Sequence, residues 1–464
     1  MTGDEELVNG VLLPGFTGVG VPDWLGRAAD AGLAGVCLFA GNVGPGLPTL
    51  TAALHARRDG FLVASDEEGG PVTRLDATGG PAWPAAAALG RLDDVAVTEA
   101  VGAGIGAQCR GLGIDLALAP VADVNAEPRN PVIGIRSFGA TPDLVARHTA
   151  AFVRGLQGAG TAAAAKHFPG HGSTHVDSHR DLPVVTADVA TLRARDLPPF
   201  AAAVETGVRC VLTAHVLFPA LDERPATMSP PLLDLLRRDL GFDGVIVSDA
   251  VDMGAIAAGV GTGPGAVAAV AAGVDLVCIG NPDNGYDDEA GYREVRDALL
   301  AAVGDGTLPR ERLAEAGRRV TELAGWVRAA PAATADAGGL GERVARRVAS
   351  AVGDVRVGRG AHVLDLTGPA NVADGRRGEP RLAAALRRRD PSITAGPVAA
   401  AGRPLVLVVR GPSPALDAAR AGRPDAVTVH VGPSGTWEPP APSITLHGDG
   451  RAHADVAADL LSDV

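Results

Sequence analysis

Lysine is almost missing from this chain: of 41 basic residues only Lys166 is a lysine. Arginine serves nearly everywhere that a positive charge is wanted, so position 166 suits a compact ammonium and rejects a planar fork. Positive charge is also short overall. A formal net charge of −13 excludes a nucleic-acid binder, which needs a basic face to neutralise phosphates. Cysteine is scarce, with Cys37, Cys109, Cys210 and Cys278 scattered, no close pair and no metal-ligand spacing. Three of them lie in apolar, strand-like stretches, which predicts buried free thiols in a reducing compartment. No uninterrupted run of about 18 apolar residues occurs, so no membrane-spanning helix is expected. The first six residues are acidic and lack the basic and apolar regions of a signal peptide. A cytoplasmic location is the expectation.

What is present is a large apolar fraction, 46% hydrophobic against 20% charged, which marks a globular chain. At 464 residues it is too long for one ordinary core, and two domains are expected. Short β-branched runs fall at 8–13, 34–39, 61–65, 114–118, 162–166, 210–214, 244–248 and 274–279. Helical stretches separate them at 22–31, 47–58, 98–111, 143–158, 187–206, 231–240 and 264–272. This alternation implies parallel βαβ units, and eight of them predict a (β/α)₈ barrel of the TIM type over residues 1–327. An Ala-, Pro- and Gly-rich stretch at 328–341 reads as a linker. Residues 342–464 read as a smaller C-terminal α/β domain, with a helix at 342–352 and strands at 362–366, 405–409, 426–431 and 443–446. That domain shows no cluster of chemically useful residues in the sequence, and no catalysis is placed there.

Polar residues follow the predicted strands: Asn42, Asp66, Asp123 with Asn125, His167, His215, Asp249 and Asn281. In a barrel they converge on one rim, where catalysis takes place. A helix cap explains one or two such residues, not seven. The segment 166–183 carries histidines at 167, 171, 175 and 179. Their four-residue spacing would suit a metal only on a continuous helix, which Pro169, Gly170 and Gly172 oppose. The better reading is a long loop in which Asp177 orients His179 and holds it protonated, making it a general acid and later a base. The apolar strand 244–248 ends in Asp249, a nucleophile placed at the rim to attack an anomeric carbon; Asp252, three residues on, is the rival. Asp66 and Arg74, with Arg136, are suited to grip vicinal hydroxyls through charge-assisted hydrogen bonds.

Four segments resemble the family 3 glycoside hydrolases, in their bacterial β-N-acetylglucosaminidase (β-N-acetylhexosaminidase) branch. They are 66–74, 123–139, the Lys-His-Phe-Pro-Gly-His-Gly…Asp-Ser-His stretch of 166–183, and Ser248-Asp249-Ala250. The likeness covers roughly residues 7–325. It implies that Asp249 forms a glycosyl–enzyme intermediate and that His179, paired with Asp177, is the acid/base, with His replacing one carboxylate of the usual pair. It further implies that Asp66, Arg74, Arg136, Lys166, His167 and His215 bind the N-acetylglucosamine ring. No metal or cofactor is expected. The implied activity is hydrolysis of terminal β-linked N-acetylglucosamine from small carbohydrates such as muropeptide or chitin fragments. Phosphorolysis by inorganic phosphate is the alternative, because a His base repels an anionic acceptor less than a glutamate would. A silent sugar-binding protein would keep the pocket and lose the reacting groups; Asp177, Asp249 and His179 are all present.

Overall fold

The computed structural model describes residues 3–77, 82–175, 182–285, 287–331, 338–368, 379–398, 400, 402–433, 435 and 437–462. The strands of the first unit are β1 (Leu12–Pro14), β2 (Gly35–Leu38), β3 (Leu62–Ser65), a short hairpin of β4 (Glu67–Gly69) and β5 (Val72–Thr73), then β6 (Leu116–Ala117) and β7 (Ala162–Phe168). They continue as β8 (Cys210–Thr213), β9 (Val245–Val247) and β10 (Val277–Gly280). Strands β2-β3-β6-β7-β8-β9 form a parallel sheet in chain order, and β10 pairs in parallel with β1. A bridge between Val247 and Leu276 joins β9 to the approach of β10, and the Ala34 amide donates to the Asn9 carbonyl ahead of β1 and β2.

The strand period of two divides the apolar residues between two cores. One face gives Leu13, Cys37, Leu62, Leu116, Ala162, Cys210, Val245 and Cys278 to a single cluster fed by all eight parallel strands. The other face gives Leu12, Val36, Val63, Ala163, Val211, Ile246 and Val277 to the layer that packs under the helices. β7 gives four buried alanines in a row, Ala162 to Ala165, alternately to the two cores.

Differences from the sequence reading sit at element ends. The strand expected from residue 8 begins at Leu12, because Gly3–Asn9 is a helix with three acidic residues in its first turn. The helix expected at 187–206 is broken into Val189–Thr191, a wider turn closed by the Leu197 amide on the Leu192 carbonyl, and Pro198–Glu205. Pro198 and Pro199 open the last piece, as first-turn prolines do. The expected linker starts inside the helix Arg310–Ala329 and ends inside the helix Leu340–Val348; residues 332–337 lie outside the described residues. That second helix stops at Val348, and its expected last turn is instead β11 (Ser350–Val352), which pairs antiparallel with a later strand.

The remaining strands are β12 (His362–Asp365), β13 (Thr394–Ala395), β14 (Leu405–Val409), β15 (Val427–His430) and β16 (Ser443–Thr445). Their order is β11-β16-β15-β14-β12-β13, parallel except for β11. The chain therefore moves from β12 outward to β13 and returns on the other side to β14. The strand order reverses between β12 and β14, the place where open α/β sheets form a crevice. Val344 and Val348 of the preceding helix join the core of the first unit. No helix among the described residues is long and apolar enough to cross a membrane.

Candidate active site

The ends of β3 and β7 build the centre of the site. Beyond β3 the chain stays extended through Asp66, Glu67 and Glu68, so alternate carboxylates face opposite ways. Asp66 and Glu68 share one side, and Lys166 near the end of β7 lies between them. Its Nζ is 2.7 Å from Asp66 Oδ1 and 2.6 Å from Glu68 Oε1. A point charge with three donors fits between two carboxylates in a way that a planar fork does not. Arg74 Nη2 donates to Asp66 at 2.8 Å, and Arg136 grips Glu68 with two bonds of 2.7 and 2.9 Å.

All five side chains are buried or nearly so, and they alternate in sign. Burial alone would raise the Asp66 carboxyl, but Lys166 and then Arg74 override it and hold it well below the usual carboxylate range. Burial is likewise overridden at Glu68 by Arg136 and Lys166. Lys166 and Arg136, in turn, are held more firmly protonated by these carboxylates despite burial. The cluster is therefore fully ionised, with its donors fixed before any ligand arrives.

Glu67 points to the opposite side and has the opposite fate. Its carboxylate accepts from the Thr73 hydroxyl at 2.6 Å and from the Arg74 and Leu75 amides at 2.8 and 3.0 Å. Burial outweighs these bonds and the nearby Arg74 charge and pushes the group up to about 7. Glu67 thus ties down the return of the β4–β5 hairpin and so sets where Arg74 reaches. The turn itself is Gly69-Gly70-Pro71, with both glycines at positive φ and Gly70 pressed on Ala85, where a Cβ would lie 2.6 Å from its Cα.

Asp123, wholly buried, organises the far wall. One oxygen binds His167 Nδ1 at 2.7 Å, and the other accepts the His171 amide at 2.7 Å. The other ring nitrogen, Nε2, lies 3.4 Å from Arg136 Nη2. His171 stands edge-on to His167, and burial followed by the His167 charge pushes it down to about 4, so it is neutral near pH 7.

Asp249 follows β9 on the same cavity as Asp66, Arg74, Arg136, Lys166, His167 and His171. Its Oδ1 accepts the Ala250 amide at 2.9 Å. Asp252 also borders the cavity, where it accepts from the Asn281 amide at 3.2 Å and from Asn284 Nδ2 at 2.8 Å. His215 does not line that cavity. It is fully buried, with Nδ1 2.9 Å from the Thr227 hydroxyl and Nε2 donating to the Ala250 carbonyl at 2.9 Å. Among the described residues, it meets the cavity wall at the backbone of Ala250. Asp177 and His179 lie outside the described residues.

Glu68 and Asp123 are the site residues that the sequence reading did not select. The signal for Glu68 was available: it stands two residues after Asp66 in an extended segment, hence on the same face. Asp123 was visible as a rim residue, but its bond to a histidine 44 positions later was not.

A family model for the glycosyl hydrolase family 3 N terminal domain matches residues 28–323. A beta-hexosaminidase of Chromobacterium violaceum is 40% identical over 293 residues, covering 61% of this chain and 77% of that protein. Beta-hexosaminidase A of Pseudoalteromonas piscicida is 33% identical over 317 residues; the match covers 63% of this chain and only 53% of that longer protein. Among solved structures, a glycoside hydrolase family 3 beta-N-acetylglucosaminidase from a Paenibacillus species superposes with a TM-score of 0.81 at 28% identity, covering 99% of this chain and 96% of that one. The matched segment contains both the charged cluster at the ends of β3 and β7 and the carboxylate after β9, and the chain belongs to glycosyl hydrolase family 3.

Proposed function

We propose that the chain is a retaining β-N-acetylglucosaminidase that cleaves terminal β-linked N-acetylglucosamine from small carbohydrates, with muropeptide or chitin fragments as candidate substrates. The observation that carries this reading is one cavity bordered by Asp249 and by the ionised Asp66–Arg74–Lys166–Arg136 set. In the proposal the eight parallel strands form a complete (β/α)₈ barrel over residues 1–327, and residues 342–464 form the second domain. The four buried, unbonded cysteines suit a reducing, cytoplasmic setting.

In this reading the fixed donors and acceptors of the cluster hold the ring hydroxyls and place the anomeric carbon against Asp249. The Ala250 amide holds one Asp249 oxygen, Asp249 is the attacking group, and His215 holds the Ala250 carbonyl, one peptide further on. Asp249 displaces the leaving group, which takes a proton from His179; Asp177 keeps that imidazole oriented and charged. Water, deprotonated by His179, then releases the sugar with retained configuration.

The test is release of p-nitrophenol from the β-N-acetylglucosaminide, with and without phosphate. Asp249→Ala should lower kcat by at least about a thousandfold while the fold survives. A wild type inactive on this substrate would overturn the reading, and accumulation of sugar 1-phosphate would replace hydrolysis by phosphorolysis.

A further inference from the structure

Two of the four cysteines border the catalytic cavity and take no part in the reaction proposed above. Cys37 on β2 and Cys278 on β10 line it together with Leu118, just past β6, and Leu212 on β8. Those are the second, fourth, sixth and eighth of the parallel strands. Four side chains from alternate strands make one layer of a (β/α)₈ interior, so these residues form a floor to the cavity, which holds about 90 Å³. The charged groups on the same cavity, Asp66, Lys166 and Asp249, come from the ends of the intervening strands β3, β7 and β9.

Within that layer the two cysteines are neighbours. The Cys278 side chain is in hydrogen-bonding contact with that of Cys37, and Cys37 Sγ lies 3.9 Å from its second partner, the Leu38 carbonyl. Between them runs β1, which pairs in parallel with β10 and is tied to the approach of β2 by the bond from the Ala34 amide to the Asn9 carbonyl. Strands two places apart stand roughly 9 Å from each other. A disulfide spans Cα atoms within about 7 Å, so a direct sulfur–sulfur bond falls short here. One atom placed between the sulfurs supplies the missing reach. It has to arrive uncharged, because the floor is apolar and a new buried charge is costly.

We propose that Cys37 and Cys278 form a dithiol site in the floor of the catalytic cavity that takes trivalent arsenic, from neutral arsenous acid, as a bridge between the two sulfurs. Two S–H and two As–O bonds break, two As–S bonds form, and the thiol protons leave on the two departing hydroxides as water. Arsenic stays trivalent and keeps its third hydroxyl. Because each leaving hydroxide takes the proton, no free thiolate has to accumulate. That suits Cys278, whose thiol the neighbouring sulfur and then burial push well above its ordinary range. The bridge occupies the space in which the sugar is proposed to bind, so the site is inhibitory.

The experiment adds sodium arsenite to the reduced full chain and follows three readouts: bound arsenic by native mass spectrometry, its neighbours by X-ray absorption, and hydrolysis of the p-nitrophenyl glycoside. The folded wild type should bind one arsenic with two sulfur neighbours, lose hydrolysis in step, and recover it with excess dithiothreitol. Cys37→Ser and Cys278→Ser should each weaken binding at least about a hundredfold, as loss of a two-point attachment does, while Cys109→Ser, in the other core, should not. No arsenic on the folded wild type, or fewer than two sulfurs around it, would overturn the site whether or not the variants fold. An adduct that leaves hydrolysis untouched would overturn its place beneath the sugar. Binding does not depend on the N-acetylglucosaminidase reading: a wild type silent on the glycoside before treatment would sink that reading, and the arsenic count would still decide the site.

Discussion

Glu67 offers a quantitative check on the electrostatics, because its burial outweighs both its hydrogen bonds and the Arg74 charge beside it. Burial raises it from the ordinary 4.5 to about 7. The sign follows from linkage: below pH 4.5 both folded and unfolded states are protonated at this position, and the group costs nothing. Between 4.5 and 7 the unfolded chain gives up the proton while the folded chain keeps it, so stability falls as pH rises. Above 7 the buried carboxylate is charged and the penalty is complete, at about 3 kcal/mol for the gap between 4.5 and 7. His171 moves the other way. Its pKa is pushed down to about 4, so its contribution is present above 6.5 and is lost as pH falls. A stability profile of the wild type alone mixes the two, and the comparison needed is with Glu67→Gln. Glutamine keeps one oxygen for the Arg74 and Leu75 amides and turns its amide toward the Thr73 hydroxyl, which can accept. It thus mimics protonated Glu67 at every pH. Urea denaturation from pH 4 to 8.5 should show the variant gaining about 3 kcal/mol relative to wild type across the range, with the change centred between 4.5 and 7. A difference that stays constant within about 0.5 kcal/mol would refute the assignment of a carboxyl raised by burial.

Lys166→Arg keeps the charge but forces a longer fork between Asp66 and Glu68, where the ammonium is 3% exposed. It should cost about 1–3 kcal/mol in thermal unfolding and lower kcat/KM more than tenfold, whereas a fully active variant would show that the site does not read the shape of the cation. Glu68→Gln removes the carboxylate that Arg136 grips and leaves Lys166 with Asp66, which Arg74 shares. It should destabilise by about 3–5 kcal/mol in urea, and a loss below about 1 kcal/mol would mean that the cluster is solvated in solution.

The fold was legible because its signal is repetition. Eight apolar runs with helical spacers stand out even when each run alone is ambiguous, and the chain order of β2 to β9 follows directly from that alternation. Boundaries were poorer where short-range chemistry outweighs pattern. Val8 reads as a strand residue by type, but it lies in the acidic-capped helix Gly3–Asn9. Residues 350–352 read as the end of a helix and became β11 because the free edge of β16 offers hydrogen bonds that a fraying last turn lacks.

For the site, the residues visible in the sequence are those whose type is unusual at its position: the single lysine, the carboxylate that ends an apolar strand, the acidic run after β3. What could not be read is function created by pairing at a distance. Asp123 matters because it meets His167, and Glu68 because it meets both Lys166 and Arg136. His215 shows the converse. By residue type and position it reads as a pocket histidine, yet it does not line the cavity itself, and its nitrogens bind Thr227 and the carbonyl of Ala250, a residue that does.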